Sequence, residues 1–250
     1  MMKPNSDHYT LLNRSTKKMS EFDKYAKDYD AMHANNVRAS GYTPAFFDEY
    51  KVKEIARLLS SRGKQNDQLH ILNFGCGIGK SEQYLHKYFP SASIVGADVS
   101  ADSLELARDA NKNLTCIRWE LISETDKLSF ADTFDIVFIA NVFHHIPHSE
   151  HERILKDIRS HVRPGGSLFM FEHNPWNPIT VKTIKDCPFD IDAVLLSPSY
   201  SKNIYKKSGF SGTSTRYTLF FPSFVSFLRP IEPLLSWLPL GAQYYIEAKP

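Results

Sequence analysis

The sequence has few cysteines, no long apolar run and little excess of basic charge, and each of these absences excludes a class of function. Its three cysteines, Cys76, Cys116 and Cys187, are far apart and form no C-x-x-C pair. This argues against a disulfide framework and indicates a reducing compartment. No apolar run reaches the about 20 residues that a membrane span needs. The net charge of +2 lacks the broad basic excess of many nucleic-acid binders. We therefore expect no membrane span and no nucleic-acid partner.

Signals for a metal site and for export are also missing. Histidines cluster between His144 and His151, but the chain contains no H-E-x-x-H motif. We therefore predict that no metal is bound. The chain is polar through Ser20 and shows no apolar signal-peptide segment. This predicts a cytoplasmic protein.

What the sequence does contain is a regular alternation of strand and helix patterns from residue 70 onward. The predicted strands cover 70–74, 93–98, 115–119, 134–140 and 167–171. Helices are predicted at 79–88, at 101–111 with Ser100 as the cap, and at 148–162. Such alternation predicts an α/β fold with a doubly wound, mostly parallel sheet. Ligands of these sheets bind at the carboxyl ends of the strands.

Different patterns flank this core within what we interpret as one domain, 1–250. Residues 1–65 form the predicted helical N-terminal cap, with helices at 21–36 and 44–59. Residues 66–175 form the core. Residues 176–250 supply a C-terminal antiparallel edge hairpin, with strands at 213–221 and 243–248. The apolar insert between them, 222–240, is interpreted as a helix packed on the sheet edge.

The most informative stretch is the glycine turn after the first strand. A phosphate-binding P-loop would need its first glycine at Phe74, and a dinucleotide turn would need a glycine at Lys80. The spacing of Gly75, Gly77 and Gly79 instead resembles the first motif of the class I S-adenosylmethionine (SAM) methyltransferases. One departure is Asn73, which stands where that family usually has an acidic residue.

Later segments extend this resemblance over residues 70–172. The segment 134–137, followed by 141–147, resembles the family's fourth strand and its turn. The segment 162–168 resembles the Leu-Lys-Pro-Gly-Gly turn before the fifth strand. The resemblance implies a seven-stranded sheet, SAM as cofactor and S-adenosylhomocysteine as product. It also implies methyl transfer to an oxygen or nitrogen atom of a small molecule.

Several residues are candidates for cofactor binding. Asp98 ends the second strand, 23 positions after Gly75, and a carboxylate there can accept both ribose hydroxyls. Aligning 128–130 with the family's Leu-Pro-Phe places Glu124 near the adenine amine, with Thr125 as a substitute. Tyr25 and Tyr29 resemble the family's tyrosine-containing leader. The predicted cofactor-binding residues are Tyr25, Tyr29, Gly75, Cys76, Gly77, Gly79, Asp98, Val99, Glu124, Thr125 and Asn141.

The acceptor side is predicted at the ends of strands four and five. His144, His145 and His173 are the candidate catalytic bases, because histidine accepts a proton near neutral pH. Glu172, Asn174 and Tyr42 are the predicted substrate-binding residues. An acceptor that is already anionic would need no base, and these groups would then only orient it.

Two other functional interpretations stay open at this stage. One is an NAD-type oxidoreductase, which Lys80 and the motifs after strand four disfavour. The other is a non-catalytic SAM-binding interaction module. For the leading interpretation, the acceptor class suggested by resemblance is a sugar- or phosphate-bearing surface-glycan precursor. The oligomeric state is left open.

Overall fold

A seven-stranded sheet organises the computed structural model, which describes residues 40–63, 68–187 and 193–250. The strand order is β3-β2-β1-β4-β5-β7-β6. Strands β1 to β5 are parallel, and β7 runs antiparallel to both β5 and β6. The predicted mostly parallel sheet with an antiparallel C-terminal pair is therefore confirmed. The strands are β1 (His70–Phe74), β2 (Ser93–Asp98), β3 (Ile117–Leu121), β4 (Phe134–Ala140), β5 (Val162–His173), β6 (Ser211–Thr218) and β7 (Gln243–Lys249).

The helices begin where the sequence carries good helix-start residues. Pro44, Pro178 and Pro198 each stand in a first helical turn, where a missing N–H costs nothing. The Ser100 side chain accepts a 3.0 Å hydrogen bond from Ser103 N–H and caps its helix as predicted. The helices are α1 (Pro44–Ser60), α2 (Glu82–Tyr88), α3 (Ala101–Ala110), α4 (His148–Ser160), α5 (Pro178–Lys185), α6 (Pro198–Lys207) and α7 (Glu232–Leu235).

Both faces of the sheet are covered, which explains the nearly continuous apolar sequence of β4. Ile136 and Phe138 pack into a cluster with residues of α1 and α2. Val137 and Ile139, on the opposite face, pack with residues of α4 and α6. Successive side chains of a strand point to opposite faces, so a strand covered on both sides is apolar at every position.

Several element boundaries differ from the sequence prediction; β6, for example, is Ser211–Thr218 and not 213–221. β3 is Ile117–Leu121, two residues later than expected, and α2 begins at Glu82 after the glycine turn is complete. β5 is longer than predicted and starts at Val162, because Val162 pairs with Phe134 before a register shift in the ladder. The glycines that suggested a turn there therefore lie within an irregular strand. The predicted helix at 21–36 lies outside the described residues.

The apolar insert is not the packed helix that the sequence suggested. It forms a 3₁₀ segment, Ser223–Ile231, followed by the one-turn helix α7. Prolines interrupt the pattern, so no long helix can form. None of its helical residues is buried, and the Phe224 and Trp237 side chains are 81% and 72% exposed. Within the described ranges, none of the helices is long and apolar enough to cross a membrane.

Candidate active site

A cavity of about 1020 Å³ lies at the carboxyl ends of the central strands. The glycine turn after β1 and the end of β2 form one wall. The turn after β4 and the end of β5 form another. Helices α1 and α5 and the segment before β7 complete it. This is the edge at which the parallel topology predicts a ligand.

The glycine turn is tied to the end of β2. Gly77 has a φ of +54°, a left-handed conformation that a residue with a side chain adopts at a cost. Its N–H donates a 2.7 Å hydrogen bond to Asp98 Oδ2. A Cβ atom at Gly77 would meet no atom within 4 Å, and the residue lines the cavity. The backbone at this position is therefore open to a ligand.

Asp98 lies on the cavity wall with both carboxylate oxygens already accepting N–H groups. Oδ1 accepts from Ser100 N at 2.9 Å, and Oδ2 accepts from Gly77 N. A carboxylate oxygen offers more than one acceptor position, so these bonds orient the group and still allow it to accept ribose hydroxyls. Its predicted ribose-binding role is compatible with this geometry and stays a prediction.

The third glycine of the motif has a different role from the one predicted. Gly79 is not among the residues that line the cavity. A Cβ atom there would lie 2.7 Å from Asn111 Nδ2 and 2.8 Å from the Ala107 Cβ atom. The absence of a side chain therefore permits close packing of the turn against α3, and the expectation that Gly79 contacts the cofactor does not fit its position.

The atypical residue of the motif, Asn73, has a specific buried partner. Its Nδ2 donates a 2.8 Å hydrogen bond to Glu82 Oε1, in the first turn of α2. Glu82 is fully buried, and its Oε2 has no hydrogen-bond partner among the described residues. Burial raises the pKa of Glu82 from 4.5 to about 7. An acidic residue at position 73 would place a second carboxylate beside Glu82, whereas the amide satisfies one of its oxygens.

The remaining predicted cofactor residues line the cavity at the ends of β2, β3 and β4. Glu124 and Thr125 are exposed there, and the Glu124 carbonyl accepts a 2.9 Å hydrogen bond from Arg153 Nη2. Asn141 adopts a left-handed conformation with a φ of +57°. Its Oδ1 is buried without a hydrogen-bond partner among the described residues. Gly75, Cys76 and Val99 also line the cavity.

A buried histidine–carboxylate pair lies at the ends of β4 and β5. His144 Nδ1 is 2.5 Å from Glu172 Oε2. Glu172 Oε1 accepts a 3.0 Å hydrogen bond from Phe143 N–H. Both side chains are almost completely buried, and His144 lines the cavity. The carboxylate thus fixes the orientation of the ring.

The other two predicted histidines lie next to this pair. The His145 ring centroid is 4.3 Å from that of His144, and the His173 centroid is 5.3 Å away. His173 Nδ1 is 3.5 Å from Nε2 of Gln243, whose Oε1 accepts a hydrogen bond from the Tyr50 hydroxyl. His145 and His173 both line the cavity. The fold therefore brings the three candidate bases together, although two come from the turn after β4 and one from the end of β5.

Two of the predicted substrate contacts need correction. Glu172 and Asn174 are fully buried and do not line the cavity. Asn174 Nδ2 donates to the carbonyl oxygens of Pro239 and Gly241, at 3.0 and 2.8 Å. Glu172 instead supports His144. Both polar side chains are used by neighbouring parts of the fold and not by a substrate.

The other predicted contacts either line the cavity or fall outside the described residues. Tyr42 lines the cavity, and its hydroxyl donates a 3.2 Å hydrogen bond to the Phe221 carbonyl. Tyr25 and Tyr29 fall outside the described residues. Lys51, a buried lysine of α1, also lines the cavity. In the described part of the chain, no group of three or more His, Cys, Asp or Glu side chains is arranged to hold a metal ion.

These features fit a cofactor that carries a nucleoside. The backbone at Gly77 is open to the cavity, Asp98 offers carboxylate oxygens, and Asn141 offers an acceptor atom without a partner. The fold and the cavity together define a Rossmann-like protein that binds a nucleoside at the carboxyl ends of its strands.

Comparisons with known proteins narrow this class. Residues 71–166 match the model of a family described as "Methyltransferase domain". The trans-aconitate 2-methyltransferase of Azoarcus sp. (strain BH72) is 33% identical over 113 residues, which cover 45% of this chain and 42% of that protein. The malonyl-(acyl-carrier protein) O-methyltransferase of Priestia megaterium is 36% identical over 104 residues, which cover 41% of this chain and 36% of the relative. The chain thus spans less than half the length of these curated relatives.

Solved structures share the fold at low sequence identity. An S-adenosylmethionine-dependent methyltransferase from Mesorhizobium loti has a TM-score of 0.55 and 20% identity, over 80% of this chain and all of that one. The DhpI–SAH complex has a TM-score of 0.59 and 16% identity, over 94% and 96% of the two chains.

The methyltransferase-domain match over residues 71–166 and the partial matches to methyltransferases support a class I SAM-dependent methyltransferase, with SAM as the cofactor. The strand order and the structural neighbours show the fold of that class. These findings favour a methyltransferase over the NAD-type oxidoreductase alternative.

Proposed function

We propose that this protein transfers a methyl group to an oxygen or nitrogen atom of a small molecule. Bound SAM supplies the electrophilic methyl group. The observation that carries the proposal is the Glu172–His144 pair, because it places an oriented histidine on the cavity that also contains the glycine turn and Asp98.

On the cofactor side, Asp98 accepts the ribose hydroxyls, and the open backbone at Gly77 permits close approach of the ligand. Asn141 Oδ1 accepts a hydrogen bond from a ligand N–H or O–H group, which would satisfy a buried acceptor that has no partner among the described residues. Glu124 and Thr125 line the same cavity after β3 and are the proposed neighbours of the adenine.

On the acceptor side, His144 is the proposed general base. An ionised Glu172 can only accept a hydrogen bond, so Nδ1 of His144 carries the proton and Nε2 is the basic nitrogen. With SAM bound, an acceptor hydroxyl or amine would give its proton to Nε2 as its oxygen or nitrogen bonds to the methyl carbon. The bond from that carbon to the sulfonium sulfur would break, with S-adenosylhomocysteine as the leaving group. Glu172 then stabilises the imidazolium ring. His145 and His173 orient the acceptor beside it.

Aromatic side chains also line the cavity. Phe47 comes from α1, and Phe221 and Phe224 come from the C-terminal segment. Tyr42 connects these two regions, because it hydrogen-bonds to Phe221 and lies next to Phe47, with ring centroids 6.2 Å apart. These rings offer an apolar surface to the acceptor.

The acceptor class is drawn from the relatives and the sequence, and it is a proposal in both cases. One relative is named for trans-aconitate and another for a malonyl group on acyl-carrier protein, both of which are acids. An acidic small molecule is therefore the class that the relatives support best. A sugar- or phosphate-bearing glycan precursor stays a prediction from the sequence resemblance.

Methyl transfer from isotopically labelled SAM tests the proposal. The acceptor panel would contain small alcohols, amines and carboxylic acids, and formation of S-adenosylhomocysteine would be measured with each. The His144→Ala variant should lose about 10²–10⁴-fold in kcat for a hydroxyl or amine acceptor while it retains SAM affinity. His148→Ala is the matched control, because His148 is exposed and does not line the cavity.

Unchanged turnover in His144→Ala would remove the base assignment. SAM binding without turnover of any acceptor in the panel would favour a non-catalytic SAM-binding module.

A further inference from the structure

A buried lysine on the cavity wall is not used by the proposed methyl-transfer chemistry. Lys51 of α1 is 4% exposed, and its side chain lines the cavity. Its Nζ donates a 2.9 Å hydrogen bond to the Phe47 carbonyl and lies 5.1 Å from the centre of the Tyr50 ring. An ammonium group has three N–H donors, and lysines are almost never fully buried unless they are paired.

No carboxylate of the described residues forms an ion pair with Lys51. Asp48 and Glu172 are close enough to favour its charged form, yet neither is in ion-pair contact with it. Glu172 is occupied by His144 and by Phe143 N–H. Burial lowers the pKa of Lys51 to about 8. Among the described residues, this ammonium group on the cavity wall is therefore largely protonated and has no ion-pair partner.

We infer that Lys51 is an anion subsite that binds one carboxylate group of the methyl acceptor. The inference rests on the proposed function, because it names the acceptor class for that same cavity. Lys51 and His144 line the same cavity, and Glu172, which holds His144, favours the charged form of Lys51. The bound carboxylate anchors the acceptor, while a separate hydroxyl or amine of the same molecule faces the histidines.

The local charges favour a monoanion over a dianion. One cation, Lys51, stands near two carboxylates, Asp48 and Glu172. A single carboxylate pairs with the ammonium group and adds one negative charge beside these two, whereas a phosphate dianion adds two. Apolar side chains line the same cavity, among them Phe47 and Ile179. An acceptor with one carboxylate on an apolar body fits this environment.

Calorimetric titration with phenylacetate tests the subsite, and phenylacetamide and inorganic phosphate serve as comparison ligands. We expect phenylacetate to bind, and to bind at least about tenfold more tightly than either comparison ligand, because only it offers a single carboxylate on an apolar body. Lys51→Met should weaken phenylacetate binding at least about tenfold, since it removes the charge and keeps the length of the side chain. Lys53→Met is the matched control, because Lys53 is exposed on the same helix.

Three results would overturn the inference. They are no phenylacetate binding by the wild-type protein, equal binding by Lys51→Met, or equal or tighter binding of phenylacetamide or phosphate. Circular dichroism and SAM titration of Lys51→Met establish that the variant is folded with an intact cofactor site. SAM affinity is measured separately from phenylacetate affinity. A failure of SAM binding would therefore count against the proposed function. The phenylacetate titration would still show whether Lys51 binds a carboxylate.

Discussion

The buried carboxylate of Glu82, beneath the glycine turn, should lower the free energy of unfolding above neutral pH. Glu82 is fully buried, and only Oε1 has a hydrogen-bond partner, Asn73 Nδ2. Substituting glutamine keeps an oxygen that can accept from Asn73 and removes the ionisable group. The Glu82→Gln variant should therefore be more stable than the wild-type protein above neutral pH, although most core substitutions destabilise.

The size of the effect follows from the raised pKa of Glu82, which is about 7 in the folded protein against 4.5 in the unfolded chain. For an acid whose pKa is raised by folding, the folded state holds the proton more tightly, so stability is highest below the unfolded pKa. It falls as the pH rises from 4.5 to about 7 and then levels off. At about 1.4 kcal/mol per pKa unit, the loss totals about 3 kcal/mol.

Chemical denaturation at several pH values between about 5 and 8 measures this directly. The difference in unfolding free energy between Glu82→Gln and the wild-type protein should grow by about 2–3 kcal/mol across that range. Glu105→Gln is the matched control, because Glu105 is an exposed glutamate of α3. A difference that does not change with pH, or a Glu82→Gln variant less stable at pH 8, would refute the assignment of Glu82 as a buried, destabilised carboxylate.

Three further predictions concern the same end of the sheet. Asn73→Asp should destabilise the protein by about 2–4 kcal/mol near pH 8, and the double exchange Asn73→Asp with Glu82→Gln should recover most of that loss in denaturation experiments. Asp98→Ala should weaken SAM binding by about 1–3 kcal/mol by calorimetry, and unchanged affinity would remove its ribose role. Gly79→Ala should lower the free energy of unfolding by about 2–4 kcal/mol in denaturation experiments. Gly77→Ala should mainly weaken SAM binding in calorimetry. The reverse pattern would contradict the positions assigned to the two glycines.

The features that the sequence predicted well depend on local patterns. The Ser100 cap and the strand at Phe134–Ala140 are specified by residues within a few positions of each other. The order of the glycine turn and Asp98 along the chain was enough to place both on one cavity, because parallel strands end at the same edge.

The features that the sequence missed depend on partners far apart in the chain. Glu172 and Asn174 are polar residues at a strand end. The sequence does not reveal that Glu172 pairs with His144, or that Asn174 hydrogen-bonds to the backbone of 239–241. Lys51 is buried because α1 packs over the sheet. The amphipathic sequence around it does not indicate this burial. Tertiary contacts decide which polar groups meet the ligand and which support the fold.

Calorimetric titration of the wild-type protein with SAM, S-adenosylhomocysteine and NAD tests the central claim most directly. The glycine turn, Asp98 and Asn141 line one cavity, and the account predicts that SAM and S-adenosylhomocysteine bind there while NAD does not. Tight binding of NAD together with no binding of SAM would contradict it.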